Sequence, residues 1–340
     1  MAALAPFLVL VAIQDMLTGI LGAPGIISTL IASRAMSARR AIYLSTITQL
    51  LGPLVFGVAV ASVIGSEVIE SQAITPVVLY AALSSTVIWM LVSWLLRIPS
   101  SSTHALIGGL LGAVLIALGP AGVHGSGLLK ILLSLTLTAP LGIIGGFLVM
   151  HGVHWLSRRP NWRIHQHSTR RSIRRIERRF NQGQYVASLF LGLAIGSNNA
   201  QNAMGITALG LLSTGFSAKF EIPLWVIIGS AACLALGNLV GGTRLINSVG
   251  GQFFSIQPIH GFSAEVSSAL IIGVSSLVGG NVSTTHVTSM SIIGAGAAES
   301  LSTVRWRFVR RVLLVWVITI PSTALLAGLF YSLFNAISIR

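Results

Sequence analysis

Charge is scarce in this chain of 340 residues: charged residues make up 8%, against roughly 25% in an ordinary soluble domain. Only seven residues are acidic. A water-soluble globule is thereby excluded. Cysteine is scarcer still. Cys233 stands alone, so neither an intrachain disulfide nor a thiolate metal site can form. No His/Asp/Glu set falls at metal-ligand spacing, and the sequence holds neither a phosphate-binding P-loop nor a nucleophile, base and orienter set. ATP-driven pumping, metalloenzyme chemistry and membrane hydrolysis lack their residues, and the chain reads as a non-enzyme without an organic cofactor. No basic residue precedes the first apolar run, so the charged head of a secretory signal is missing. Residues 1–31 read as a permanent first span.

What is plentiful is apolar: 54% of residues are hydrophobic and the mean hydropathy is +0.86. Apolar segments lie near 4–31, 41–64, 74–96, 103–119, 128–156, 184–212, 222–243, 263–280, 286–298 and 308–335. Since a crossing takes about 20 residues, the chain reads as an all-α polytopic membrane protein of roughly 10–12 membrane segments. The segments 103–119 and 286–298 are short of that length and read as re-entrant hairpins or half-helices. The 36 glycines and 11 prolines suit interrupted helices that line a cavity.

Placing the loops alternately on the two sides of the membrane sorts the basic residues sharply. One side receives Arg34, Arg39, Arg40, Arg97, nine arginines between Arg158 and Arg179, Arg244, Arg305, Arg307, Arg310 and Arg311. The other receives only Lys130, Lys219 and Arg340. The rich side is cytoplasmic by the positive-inside rule, in a cell membrane crossed many times. Topology thus accounts for most of the net charge of +14 without a nucleic-acid partner. The central arginine-rich stretch reads as a solvated anchor in contact with anionic lipid. It divides the chain into a first membrane repeat at 1–156, a linker at 157–182 and a second repeat at 183–340.

Five crossings per half give the two halves opposite orientation, the inverted-topology plan of secondary transporters. A repeat at an offset of 182 residues supports it. Ser101, Ser102, Thr103, His104, Gly112 and Ala113 are answered by Ser283, Thr284, Thr285, His286, Gly294 and Ala295, and each set opens one of the two short segments. Three hydroxyls at a helix start, with free backbone N–H groups and the positive end of the helix dipole, make an anion site. Two such starts facing each other near the midplane can surround one tetrahedral oxyanion. For a single cluster, a helix cap or an interhelical hydrogen bond is the plainer explanation. The repetition is what favours a ligand.

A second polar cluster, Asn198, Asn199, Gln201 and Asn202 between Gly196 and Gly205, sits in the middle of segment 184–212. Polar side chains at that depth must be paired or face a cavity. The flanking glycines point to an unwound helix holding substrate or a cation. The first half carries a matching break, Gly19 to Gly25, without polar side chains. Asp15 and Glu265 are the acidic residues placed at membrane depth, so either is a coupling candidate or a structural hydrogen-bond acceptor. His104 and His286 either orient the hydroxyls or pack as structural histidines.

At these residues the sequence resembles the inorganic phosphate transporter family of sodium- or proton-coupled phosphate permeases. Gly196 to Ile206 resembles its G-x-N-D-x-x-x-x-M-G-I signature. Val282 to His286 resembles P-V-S-T-T-H, Pro99 to His104 resembles P-x-S-S/T-T-H, and Arg34 to Arg40 resembles the segment after the first signature. The resemblance spans essentially the whole chain. It departs where the family carries signature aspartates: Asn199 and Gly22 stand there, Gly25 replaces the companion asparagine, and Asn281 replaces a proline. By resemblance those aspartates handle cation and phosphate. The resemblance therefore implies an anion site better preserved than the Na⁺ site, with Na⁺ or H⁺ as the coupling ion.

The reading is a secondary transporter of inorganic phosphate working by alternating access, with weakened cation coupling. Ser101, Ser102, Thr103, Ser283, Thr284 and Thr285 would be the anion donors, completed by Asn198, Asn199, Gln201 and Asn202. A sulfate permease and a transport-inactive paralogue acting as a phosphate sensor or partner subunit are the alternatives. A homodimer is compatible with the sequence.

Overall fold

The computed structural model describes residues 4–67, 74–157, 170–249 and 254–338. Among them there is no strand, and twelve α-helices follow one another. The first six are α1 (Leu4–Gly22), α2 (Pro24–Ala32), α3 (Ala38–Phe56), α4 (Ala59–Glu67), α5 (Pro76–Leu95) and α6 (Ser102–Leu118). The second six are α7 (Gly125–Ser157), α8 (Arg170–Ser213), α9 (Leu224–Val249), α10 (Pro258–Leu277), α11 (Thr284–Glu299) and α12 (Trp306–Ser338). Among the described residues, six stretches are long and apolar enough to cross a membrane: Leu4–Ala32, Pro76–Leu95, Ser102–Gly122, Gly125–Leu156, Leu224–Gly241 and Trp306–Ile337.

The remaining helices are less apolar for a visible reason. Ser45, Thr48 and Gln49 on α3, Ser197 to Asn202 on α8, and Ser263, Glu265, Ser267 and Ser268 on α10 are all buried. These helices turn a polar face inward. The surface is the reverse: Val317 and Leu325 of α12 are 74% and 73% exposed, as expected where hydrocarbon is the solvent.

Local sequence sets the joints. Pro24 opens α2 after the single residue Ala23, which keeps helical angles (φ −49, ψ −45), so the first-half break is a one-residue interruption. Gly57, at φ +76, divides segment 41–64 into α3 and α4. The turn before each hydroxyl motif is the same turn twice, 182 residues apart. Arg97 (φ 54) and Gly279 (φ 76) both take left-handed angles. The bonds Ile98 N–H to Ser93 O (2.9 Å) and Gly280 N–H to Ser275 O (2.8 Å) close them identically. A 6→1 bond over a left-handed residue is the helix stop that glycine suits best.

Packing follows a similar exchange. α6 lies on α12 while α11 lies on α7, α1 lies on α9 while α3 lies on α8, and α5 and α10 flank α6 and α11. Close approach is bought by the repeat glycines: a Cβ on Gly112 would strike the Ala324 carbonyl of α12, and one on Gly294 would strike the Ile143 carbonyl of α7.

One expectation is corrected. The segment 196–205 is not unwound, since α8 runs unbroken through it. Its glycines serve packing rather than flexibility: a Cβ at Gly196 would come within 2.5 Å of Gln49 Cα. α8 begins at Arg170, within the stretch 157–182. Arg158, Arg159 and Arg163 lie outside the described residues.

Candidate functional site

The two short helices meet start to start. Ser101 and Ser283 are their N-caps, accepting from the backbone N–H of His104 (3.2 Å) and His286 (3.4 Å). The Ser283 hydroxyl donates to Ser101 Oγ at 2.9 Å. Ser101 Oγ also lies 2.8 Å from His104 Nδ1. With both lone pairs of Ser101 filled by donors, its own proton goes to that nitrogen. A relay therefore runs from Ser283 through Ser101 to His104. The imidazoles of His104 and His286 face each other with ring centroids 4.4 Å apart, and His286 stacks on Trp316 at 3.5 Å.

Each helix start carries about half a positive charge, and the first N–H groups have no intrahelical partner. Bringing two such ends together is electrostatically unfavourable. An anion between them relieves the repulsion and takes up the free donors.

Beside this junction lies a narrow cavity lined by Gly22, Gly25, Pro99, Thr284, Thr285, Thr288, Ser289 and neighbouring apolar residues, none of them charged. It offers about 20 Å³ to a water-sized sphere, close to the ~10–15 Å³ that one water needs. The first-half break forms one wall. A Cβ at Gly22 would stand 3.2 Å from Asn199 Nδ2, and one at Gly25 would stand 3.2 Å from Thr288 Oγ1.

The predicted residues separate into three groups. Thr284 and Thr285 line the cavity, and Asn199 joins them by accepting from Thr284 Oγ1 at 3.0 Å. Ser101, Ser283, Thr103 and Asn202 form the junction, with Asn202 Nδ2 donating to Thr103 at 3.2 Å. Asn198 donates to Ser276 of α10 at 3.4 Å, and the Oδ1 atoms of Asn198 and Asn202 are buried without a hydrogen-bond partner among the described residues. Ser102 is half-buried and does not line the cavity. Gln201 is turned elsewhere: its Oε1 accepts from Val60 N–H at 2.7 Å at the start of α4, and its Nε2 donates to Ser197. It serves as a helix cap.

The acidic candidates lie outside the junction. Glu265 accepts from Thr29 (2.6 Å) and Gln184 (2.9 Å) on one oxygen and from Ser188 (2.7 Å) on the other, tying α10 to α2 and α8. Asp15 lines a separate cavity. Sequence reasoning missed Thr288 and Ser289. They follow Thr284 and Thr285 by four residues, so extending the helical period by one turn would have found them.

Residues 19–327 match the phosphate transporter family. The chain belongs to that family. A protein of Rhizobium meliloti (strain 1021), named as a probable low-affinity inorganic phosphate transporter, is 35% identical over 318 residues, covering 93% of this chain and 92% of the relative. A Bacillus subtilis (strain 168) protein of the same name is 32% identical over 326 residues, covering 95% and 94%. The solved structure of a sodium-dependent phosphate transporter superposes with a TM-score of 0.89 at 22% identity, covering 99% of this chain and all of the other. It shares this fold. This chain is a multi-pass helical membrane protein of a transporter family, not an enzyme.

Proposed function

We propose that this phosphate transporter family member carries inorganic phosphate across the membrane by alternating access, as a secondary transporter with weak cation coupling. The observation that carries the reading is the Ser283–Ser101 contact, which brings two dipole-bearing helix starts and their hydroxyls to one buried point. The names of the relatives support phosphate as the cargo. The narrow cavity supports a moving part, because a tetrahedral oxyanion larger than water fits only when α11 and the α1–α2 joint separate. The halves 1–156 and 183–340 act as inverted repeats, an assignment favoured by the paired turns and the exchanged helix contacts. The arginine-rich segment 157–182 faces the cytoplasm, and the protein sits in the cell membrane among anionic lipids.

The cation partner is the weaker half of the site. Asn199 offers a neutral oxygen where the family's signature has an aspartate, with Asn198 and Asn202 beside it, and a neutral ligand holds Na⁺ less tightly than a carboxylate does. Either Na⁺ or H⁺ is then carried with a loose stoichiometry.

Uptake of labelled phosphate into proteoliposomes tests the reading. Uptake that unlabelled phosphate competes away and sulfate does not, with modest dependence on a sodium gradient, is expected. Equal competition by sulfate would make the protein a general oxyanion permease, and phosphate binding without uptake would make it a sensor.

A further inference from the structure

Asp15 is the acidic side chain of α1, and the phosphate site makes no use of it. It stands seven residues before Gly22, about 10 Å along the helix axis, and its side chain is 1% exposed. Even so, Asp15 Oδ1 has no hydrogen-bond partner among the described residues. Beside it opens a second cavity of about 130 Å³, walled by Leu8, Val11, Thr207, Trp225, Ser230 and Cys233. These residues come from the first half of α1, the last turns of α8 and the first half of α9. The cavity thus lies in the membrane half away from the arginine-rich segment. Trp225, about half exposed, stands at its rim, where interfacial tryptophans sit.

The chemistry of the wall selects the ligand. A carboxylate at this depth must be paired, hydrogen-bonded or neutralised. No lysine or arginine lines the cavity; from α9 the facing ionisable group is the Cys233 thiol and from α8 there is none. α5, which also packs on α1, brings Tyr80 only against Phe7, two turns away. A metal cation needs several oxygen ligands. Here Ser230 and Thr207 are the only hydroxyls, and that of Thr207 is given to the Ala203 carbonyl at 2.7 Å. A proton needs one oxygen and an aqueous path, and this cavity is several times the ~10–15 Å³ that one water requires.

We propose that Asp15 is a proton-binding site, loaded through this cavity from the membrane face opposite the arginine-rich segment and linked to phosphate movement through α1. The proton passes from water reaching the cavity to Oδ1 and returns by the reverse step; only O–H bonds form and break. The link is mechanical, since α1 carries Asp15 about two turns before the break at Gly22 to Pro24, a wall of the phosphate cavity. The inference rests on the phosphate-transport reading.

Three measurements on the reconstituted full chain, on Asp15→Asn and on Asp15→Glu test it: phosphate–phosphate exchange at equal pH, uptake against pH on the cavity side, and the infrared band of a protonated carboxyl between acid and alkaline pH. In the parent protein uptake rises as pH falls, up to about tenfold per pH unit, the limit for one linked proton. Asp15→Asn keeps exchange but flattens the pH response and loses one carboxyl band. Asp15→Glu restores both, with its pH profile displaced from the parent's, because the cavity accommodates one more methylene. A parent-like pH response or an undiminished band in Asp15→Asn overturns the proposal. If Asp15→Asn stops exchanging, Asp15→Glu decides: a displaced pH profile supports the site and an unmoved one refutes it. Absence of exchange in the parent protein would instead sink the phosphate reading, while the infrared measurement still decides whether Asp15 binds a proton.

Discussion

Replacing Ser101 and Ser283 by alanine, singly and together, measures how firmly the two helix starts are joined. Ser283→Ala removes the N-cap of α11 and the donor of the 2.9 Å bond to Ser101. A lost serine cap costs ~1 kcal/mol, and an interhelical hydrogen bond in a membrane protein contributes ~0.6–1 kcal/mol, giving a loss of roughly 2 kcal/mol for the single variant. Ser101→Ala removes the α6 cap, the same shared bond and the contact with His104 Nδ1, so its loss is larger, roughly 2–3 kcal/mol. The double variant loses the shared bond only once. Its effect is therefore smaller than the sum of the singles by ~0.6–1 kcal/mol. Equilibrium unfolding in mixed detergent micelles reads these differences. Strict additivity, within about 0.3 kcal/mol, would refute the claim that the serines bond across the junction.

Asn199→Asp restores a charge beside Thr284 and should steepen the sodium dependence of phosphate uptake; an unchanged response would mean that residue 199 faces no cation path. Glu265→Leu leaves the donors Thr29, Gln184 and Ser188 without their acceptor. Because Thr29 and Ser188 hold alternative backbone acceptors, the cost should be ~1–3 kcal/mol, and Glu265→Gln should cost less; the opposite rank order in unfolding would argue against the three-helix tie. Gly196→Ala forces a Cβ to 2.5 Å from Gln49 Cα and should destabilise by ~1–3 kcal/mol, whereas Gly152→Ala, with open space around it, should gain up to ~0.5–1 kcal/mol from helix propensity. Equal melting points for the two alanine variants would contradict the α3–α8 packing.

The fold class was legible because hydropathy and the basic-residue bias report directly on the solvent of each segment. The pairing of Ser101 with Ser283 was legible because the repeat keeps its spacing from the hydroxyls through Gly112 and Gly294. Gln201 was misread for a physical reason: a buried amide in a membrane helix must find a partner, and the sequence does not reveal that the buried start of α4 supplies one. The supposed unwinding at 196–205 failed in the same way. Gly196 was taken as flexible, but it is where Gln49 of α3 presses close, as Thr48 does one turn earlier at Gly192. Nor does spacing reveal that the cavity draws its hydroxyls from one helix, α11, and sets them against glycines of the first half. That asymmetry follows from Thr284 and Thr285 meeting the α1–α2 joint, a tertiary fact. Glu265 and Asp15 looked alike as carboxylates at membrane depth, and only their surroundings tell them apart: three donors around one, an open cavity beside the other.

The central claim is that phosphate passes where the two helix starts touch and that they must part to let it through. Cysteines at 101 and 283, in a Cys233→Ser background, tie that junction when oxidised. Oxidised Ser101→Cys/Ser283→Cys proteoliposomes should take up no labelled phosphate and recover uptake on reduction. Uptake at the unlinked rate while the disulfide is demonstrably intact would contradict the account.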